Sequence, residues 1–214
     1  IDYVEISDTT LVKKDSSAAK MLAQIHRIMP YVKAETGVDL RFLAAIRRIP
    51  LTLVKENIVS GNYLTEAMQA LQVVCKDPYV VGSDFVGEEI NDIEELKAVI
   101  KEIVTKIAAE DPNWTIRVHA GENDSLKSNM AKTIALIEQS LLTGQTFPHL
   151  RIGHGLYCAS LKSKQGKELL KKIKEHQVVL EFQLTSNVRL NNLIDLKTHP
   201  LKSYLGHDID CVMG

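Results

Sequence analysis

Residues 113–122 read NWTIRVHAGE, a short apolar run that ends in a histidine, two small residues and a glutamate. The run at 114–119 has the length and the β-branched content of a buried strand. Six further runs of this kind lie at 2–6, 39–46, 79–85, 150–153, 178–184 and 208–213. We therefore predict seven strands, one of which carries His119 and Glu122 at its carboxyl end.

Amphipathic helices are predicted between these strands. Apolar residues recur at helical spacing over 18–32, about 89–109, 130–144 and 166–177. Pro30 either kinks the first helix or ends it early. The alternation of strands and helices indicates a parallel sheet with helical crossovers.

Two architectures have this alternation, an open doubly wound sheet and a closed (β/α)8 barrel. No GxGxxG or GxxxxGK[ST] loop follows the first strand, so the nucleotide-binding open sheets lack their main signature. Seven strands in 214 residues fall just short of the eight strands and roughly 250 residues of a barrel. We predict an α/β fold, a TIM barrel without its first strand, with residues 1–214 forming a single domain that is incomplete at both ends.

The bulk composition is that of an ordinary globular protein, with 45% hydrophobic and 25% charged residues. The 26 basic and 27 acidic residues nearly cancel, which argues against nucleic acid or an anionic membrane as a partner. No apolar segment approaches the roughly 18 residues of a membrane span. Cys75, Cys158 and Cys211 show no CxxC spacing, so we predict a reducing compartment, the cytoplasm. The sequence does not predict the oligomeric state.

Polar residues follow four consecutive strands, in the segments GSDFVGEE (82–89), HAGE (119–122), GHG (153–155) and TSN (185–187). Each segment alone has a structural explanation, such as a tight turn, a hydrogen-bonded histidine or a helix N-cap. The carboxyl ends of barrel strands share one mouth, however, so four such segments together favour a functional site.

His119 and Glu122 are three residues apart on an extended segment, so they do not form a helical HExxH site. An imidazole in a barrel mouth is a good zinc ligand, but a catalytic zinc usually needs three protein ligands and an open position. The carboxylate is better suited to moving protons. Arg47 and Arg48 also follow a strand, at a position where they could bind a substrate phosphate. We prefer the interpretation that both arginines lie on the surface.

The segments VVGSDFVGEE, VHAGE, RIGHG, TSN and the later HPL occur in an order and spacing that resemble the adenosine deaminase family. This family is part of the metal-dependent amidohydrolase superfamily. The resemblance extends over essentially the whole chain. It implies a (β/α)8 barrel that holds one zinc and hydrolytically deaminates adenosine or a related 6-aminopurine nucleoside or nucleotide to the inosine product.

The resemblance also implies roles for individual residues. His119 resembles a zinc ligand, and Glu122 resembles the acid that protonates the purine N1. His154 resembles the histidine that orients and assists the zinc-bound hydroxide. Gly87 resembles the position whose backbone N–H contacts the purine, and Ser186–Asn187 matches a supporting pair at a strand end.

Two parts of the family pattern are missing. No HxH pair, which would supply two more zinc ligands, occurs in the 214 residues, and DIDCVMG (208–214) stops where the family has two adjacent aspartates. The sequence is either an incomplete portion of a longer protein, which we favour, or a degenerate relative without a metal.

Three functions therefore remain open. The first is a zinc-dependent adenosine or adenine-nucleotide deaminase, in which these 214 residues alone are inactive. The second is a catalytically inactive purine-binding or scaffold protein with a deaminase-like barrel. The third is a zinc barrel that acts on an amide or on a different aminated heterocycle.

Overall fold

The computed structural model describes residues 1–13, 15–48, 62–190 and 192–214. Within these ranges seven parallel strands pair in chain order. They are β1 (Tyr3–Asp8), β2 (Asp39–Arg47), β3 (Val80–Val86), β4 (Thr115–Ala120), β5 (His149–His154), β6 (Val179–Phe182) and β7 (Cys211–Met213). Every predicted strand is present, which confirms the parallel α/β assignment.

Helices connect these strands. The described α-helices are α1 (Asp15–Thr36), α2 (Asn62–Val74), α3 (Lys97–Glu102), α4 (Asn129–Ser140), α5 (Lys164–Glu175), α6 (Leu184–Arg189) and α7 (Leu201–Leu205). Short 3-10 turns lie at Thr9–Val12, Ile93–Leu96 and Leu196–Thr198, and a π-helical turn lies at Ile103–Ile107. Among the residues described, no helix combines the length and apolar character needed to cross a membrane.

Two helix predictions need correction, and one of the two alternatives for Pro30 is excluded. Helix α1 continues through Pro30 to Thr36, so the proline does not end it. The helix predicted over 89–109 is a 3-10 turn, a short α-helix and a π-helical turn in succession. From Ile93 to Ile107 the apolar residues recur at mixed spacings of three and four and are buried across these changes of pitch, whereas Ile90 is exposed. Helix α4 ends at Ser140, before the predicted end near residue 144.

Strand β4 shows how the sheet separates core from site. Its side chains alternate between buried and half-buried positions. The buried residues, Ile116, Val118 and Ala120, belong to the apolar core packed with the helices. Arg117 and His119 lie between them and face the opposite side, because successive side chains of a strand point to opposite faces. The sheet therefore presents these two polar residues to its concave interior.

Charged side chains join several strands across this interior. The Arg117 guanidinium contacts Asp84 at 2.7 Å and Glu181 at 2.5 Å. Glu181 lies 4.0 Å from Arg151, which in turn pairs with Glu5. Such barrels are usually filled by layers of branched aliphatic side chains, so this charged chain is a departure from the common pattern.

The pair of Glu5 and Arg151 also establishes the curvature of the sheet. Glu5 lies on β1 and Arg151 on β5, four strands apart. Neighbouring strands are about 4.8 Å apart, so in a flat sheet these positions would be about 19 Å apart. Their direct contact requires a strongly curled sheet. The predicted fold is therefore confirmed as an incomplete TIM barrel, with seven parallel strands among the described residues.

We predict that Gly166→Ala destabilises the fold by about 1–3 kcal/mol, the usual range for overpacking. A Cβ atom at Gly166 in α5 would lie 2.1 Å from the Ser160 carbonyl oxygen and 2.6 Å from Leu161 Cα. Urea unfolding monitored by circular dichroism measures the change. Gly206→Ala is the control, because its Cβ would meet its nearest atom, the Lys202 carbonyl oxygen, at 3.3 Å. Equal unfolding midpoints for the two variants would contradict the prediction.

Candidate active site

The structure brings His119, Glu122 and His154 together at the carboxyl ends of β4 and β5. The rings of the two histidines approach edge to face, with centroids 5.1 Å apart. Glu122 Oε2 lies 3.6 Å from His154 Nε2, and Glu122 Oε1 accepts a hydrogen bond of 2.7 Å from Asn192 Nδ2. The geometric expectation that these three residues converge is therefore met, whereas their chemical roles stay predictions.

A buried carboxylate, Glu89, holds the backbone that carries Glu122. Glu89 is only 4% exposed and accepts hydrogen bonds from the backbone N–H groups of Gly121, Glu122 and Asn123, at 2.6, 2.9 and 2.7 Å. Asn129 Nδ2, at the start of α4, adds a fourth at 3.1 Å. Sequence reasoning assigned Glu89 no role, although it is the last residue of the GSDFVGEE segment.

The turn after β4 depends on glycine. Gly121 has a φ of +77°, in the left-handed region that glycine adopts without strain. A Cβ atom here would also lie 2.9 Å from the Tyr157 carbonyl oxygen. The HAGE segment therefore needs a residue without a side chain between His119 and Glu122, which explains their close placement on one short segment.

His154 is buried and oriented by its neighbours. Its Nδ1 lies 2.9 Å from Asn187 Oδ1, and its backbone N–H donates to Gln183 Oε1 at 2.9 Å. An amide oxygen only accepts, so we assign the proton to Nδ1, which leaves the Nε2 lone pair on the side of Glu122. Burial lowers the pKa of His154, and the contacts with Asn187 and Glu122 oppose this only partly.

Asn187 lies in α6, whose N-cap is Gln183. The explanation of TSN as a helix N-cap is therefore wrong, because all three residues are inside the helix. Asn187 is fully buried and contacts the imidazole of His154, as expected of a residue that orients that ring.

Gly87 follows β3 at the same edge of the sheet and has a φ of +99°. A Cβ atom at Gly87 would lie 3.1 Å from the Arg48 carbonyl oxygen, so the two backbones pass closely. Contact between its N–H group and a purine remains a prediction.

The interpretation of Arg47 and Arg48 as a surface pair is wrong for Arg48. Arg47 is exposed, but Arg48 is only 4% exposed, and its Nη2 donates to the His119 carbonyl oxygen at 2.5 Å. Burial lowers the pKa of Arg48, and the nearby Glu89 opposes that effect. Adjacent residues at a strand end point in opposite directions, which explains the difference between the two arginines.

The Nε2 atom of His119 already has close neighbours. It lies 2.9 Å from Arg117 Nη1 and 3.5 Å from Asp84 Oδ1. Over the described ranges, no three His, Cys, Asp or Glu side chains are grouped so that they could hold a metal ion. Since a catalytic zinc usually needs three protein ligands, these residues do not fit a zinc ion by themselves.

A cavity of ≈ 350 Å³ lies beside Glu122, a volume within the usual range for small-molecule sites. Its lining residues are Glu88, Glu89, Ile90, Glu122, Asn123, Leu190 and Asn192. Ile90 and Leu190 add apolar surface to this lining, beside the carboxyl groups of the three glutamates.

We predict that Glu89→Gln loosens the turn after β4. The glutamine amide has one uncharged oxygen in place of two carboxylate oxygens. Some of the backbone N–H groups of residues 121–123 therefore lose their hydrogen-bond acceptor. Amide hydrogen exchange at these residues should accelerate at least about tenfold, and the free energy of unfolding should fall by about 2 kcal/mol. The exposed neighbour Glu88, changed to Gln, is the control and should leave exchange unaltered. Equal protection in both variants would rule out this role.

We predict that His154 makes the fold acid-sensitive. Above a pH of about 6.5 the imidazole is neutral in both the folded and the unfolded chain. Below it the unfolded chain binds a proton that the folded chain resists, because burial lowers the pKa of His154. The free energy of unfolding should fall there by up to about 1.4 kcal/mol per pH unit. His154→Gln should flatten this slope between about pH 6.5 and 5 in denaturant titrations. Parallel slopes would show that His154 does not contribute.

The whole chain, residues 1–214, matches the family model described as Adenosine deaminase. An adenosine deaminase of Klebsiella pneumoniae is 28% identical over 190 residues, which cover 79% of this chain and 51% of that protein. An adenosine deaminase of Escherichia coli O1:K1 / APEC is 35% identical over 101 residues, covering 47% of this chain and 26% of that protein. The chain thus spans about half the length, or less, of these curated relatives.

Solved structures of deaminases share the fold. The N6-mAMP deaminase of Arabidopsis aligns with a TM-score of 0.58 at 19% identity, over 100% of this chain and 56% of that one. The guanine deaminase of C. acetobutylicum aligns with a TM-score of 0.61 at 15% identity, over 100% and 46% of the two chains. These likenesses support the partial barrel, and the family match over residues 1–214 identifies the chain as a member of the adenosine deaminase family.

Proposed function

We propose that this chain carries part of the active site of a hydrolytic deaminase that converts adenosine, or a related 6-aminopurine nucleoside or nucleotide, to its inosine product. Membership of the adenosine deaminase family supports purine deamination as the reaction class. The observation that carries the proposal is the approach of Glu122 Oε2 to His154 Nε2, 3.6 Å apart beside a cavity of ≈ 350 Å³.

Hydrolytic deamination adds a water oxygen to C6 of the purine, places a proton on N1 and releases ammonia. Glu122 is the proton donor to N1, since its carboxyl lines the cavity and is held by Asn192. His154 orients the attacking water and accepts its proton on Nε2, because Nδ1 is already engaged with Asn187. His154 then gives this proton to the amino group, which leaves as ammonia, and Glu122 regains a proton from the C6 hydroxyl as the carbonyl forms. General acid and base groups placed in this way each contribute roughly 10²–10⁴-fold to a rate.

The proposal includes a zinc ion in the full-length protein, with His119 as one ligand, because zinc supplies an activated water at neutral pH. Among the residues that the structure describes there is no complete site for it. The proton-transfer roles proposed for Glu122 and His154 therefore rest on the contacts of these two side chains and not on a bound zinc.

Structural neighbours support a purine ligand. Arabidopsis ADAL, which aligns with this chain at a TM-score of 0.58, has been solved in complex with IMP, and the guanine deaminase with guanine in its active site. By analogy we assign the cavity beside Glu122 to a purine ring. Nucleosides and nucleotides both remain within the proposal.

A second candidate is a purine-binding protein without catalysis. The contact of Arg117 Nη1 with His119 Nε2 favours this alternative, because the nitrogen expected to bind zinc already has a partner. Purine binding by the full-length protein, without bound zinc or inosine formation, would support it over the deaminase.

We predict that Glu122→Gln in the full-length protein lowers kcat for inosine formation by about 10²–10⁴-fold and changes adenosine binding only a few-fold. The reason is that an amide cannot donate the acid proton to N1. Absorbance assays of deamination and calorimetric titration with adenosine measure the two effects. Glu175→Gln, an exposed change at the end of α5, is the control and should retain the wild-type rate. An unchanged kcat in Glu122→Gln would remove the proposed acid.

A further inference from the structure

His119 and Arg117 lie two residues apart on β4 and therefore point to the same interior face. Arg117 Nη1 lies 2.9 Å from His119 Nε2. A guanidinium can only donate hydrogen bonds, so the imidazole nitrogen must be the acceptor. The lone pair that would bind a metal is thus directed at a cation.

We infer that Arg117 competes with zinc for His119 Nε2 and so lowers the metal affinity of the site, an inference that rests on the proposed role of His119 as a zinc ligand. Two effects act in the same direction. The hydrogen bond must be broken before the nitrogen can bind a metal, and the fixed positive charge repels a second cation.

The guanidinium cannot move aside freely, because carboxylates on two other strands hold it. Its Nη1 also donates to Asp84 Oδ2 on β3 at 2.7 Å. Its Nε and Nη2 form a two-bond pair with Glu181 on β6, at 2.9 and 2.5 Å. The Arg117 side chain is only 13% exposed, so these charge-assisted bonds are largely shielded from water.

The test compares Zn²⁺ affinities of the full-length wild type and Arg117→Gln, by competition with a chromophoric chelator and by elemental analysis. Changes to groups that contact metal ligands typically alter affinity about 10–100-fold, so we expect at least about tenfold tighter binding in the variant. Arg151→Gln is the matched control. This substitution removes the same charge from the same interior face. Arg151 also lies near Glu181, but its contacts among the described residues do not include His119.

Each outcome bears on the inference. Equal zinc affinity in the wild type and Arg117→Gln, or equal tightening in Arg151→Gln, would overturn it and leave His119 as a possible ligand. A lack of zinc binding in all three proteins would overturn both the inference and the proposed metal role of His119.

A second measurement covers the case in which Arg117→Gln does not fold. In the zinc-free wild type, nitrogen-15 spectra of the His119 ring should show a protonated Nδ1 and an unprotonated Nε2 that accepts a hydrogen bond. Added zinc should then change the Arg117 Nε–H signal. A protonated Nε2, or an Arg117 signal that does not respond while zinc binds His119, would contradict the competition.

Discussion

The guanidinium of Arg117 is the point where strands distant in sequence are joined inside the sheet. Its partners, Asp84 and Glu181, lie 33 and 64 residues away. Removing one member of a buried charge pair typically costs about 3–5 kcal/mol, because the remaining charge is left without a partner. The interior of this partial barrel therefore contains matched charges that depend on one another, where related folds use aliphatic layers.

The candidate site has a second support, which acts on backbone instead of side chains. Glu89 fixes three consecutive N–H groups, and this places Glu122 independently of what its own carboxyl contacts. A hydrogen bond from Asn192 then orients the Glu122 carboxyl, and a hydrogen bond with Asn187 orients the His154 imidazole. Each proposed reactive group therefore has a dedicated partner that limits its movement, which is the preorganisation that proton transfer requires.

Local patterns were sufficient to predict the strands and the meeting of His119, Glu122 and His154, because parallel strands with helical crossovers bring their carboxyl ends to one edge. Contacts across the sheet could not be predicted in this way. The burial of Arg48 and the cluster around Glu89 depend on which side chains meet in space. The π-helical turn at Ile103–Ile107 was missed because apolar spacings of three and four do not fix helical pitch.

Charge balance and the environment of His119 are coupled in this interior. Arg117 neutralises two carboxylates that would otherwise repel each other across the sheet, and the same guanidinium engages His119. The same Nη1 contacts both Asp84 Oδ2 and His119 Nε2, so moving it away from the imidazole would also take a cation from that buried carboxylate. Glu181 holds the guanidinium through its other two nitrogen atoms. The contact between Arg117 and His119 is therefore maintained by two carboxylates that do not themselves depend on the imidazole.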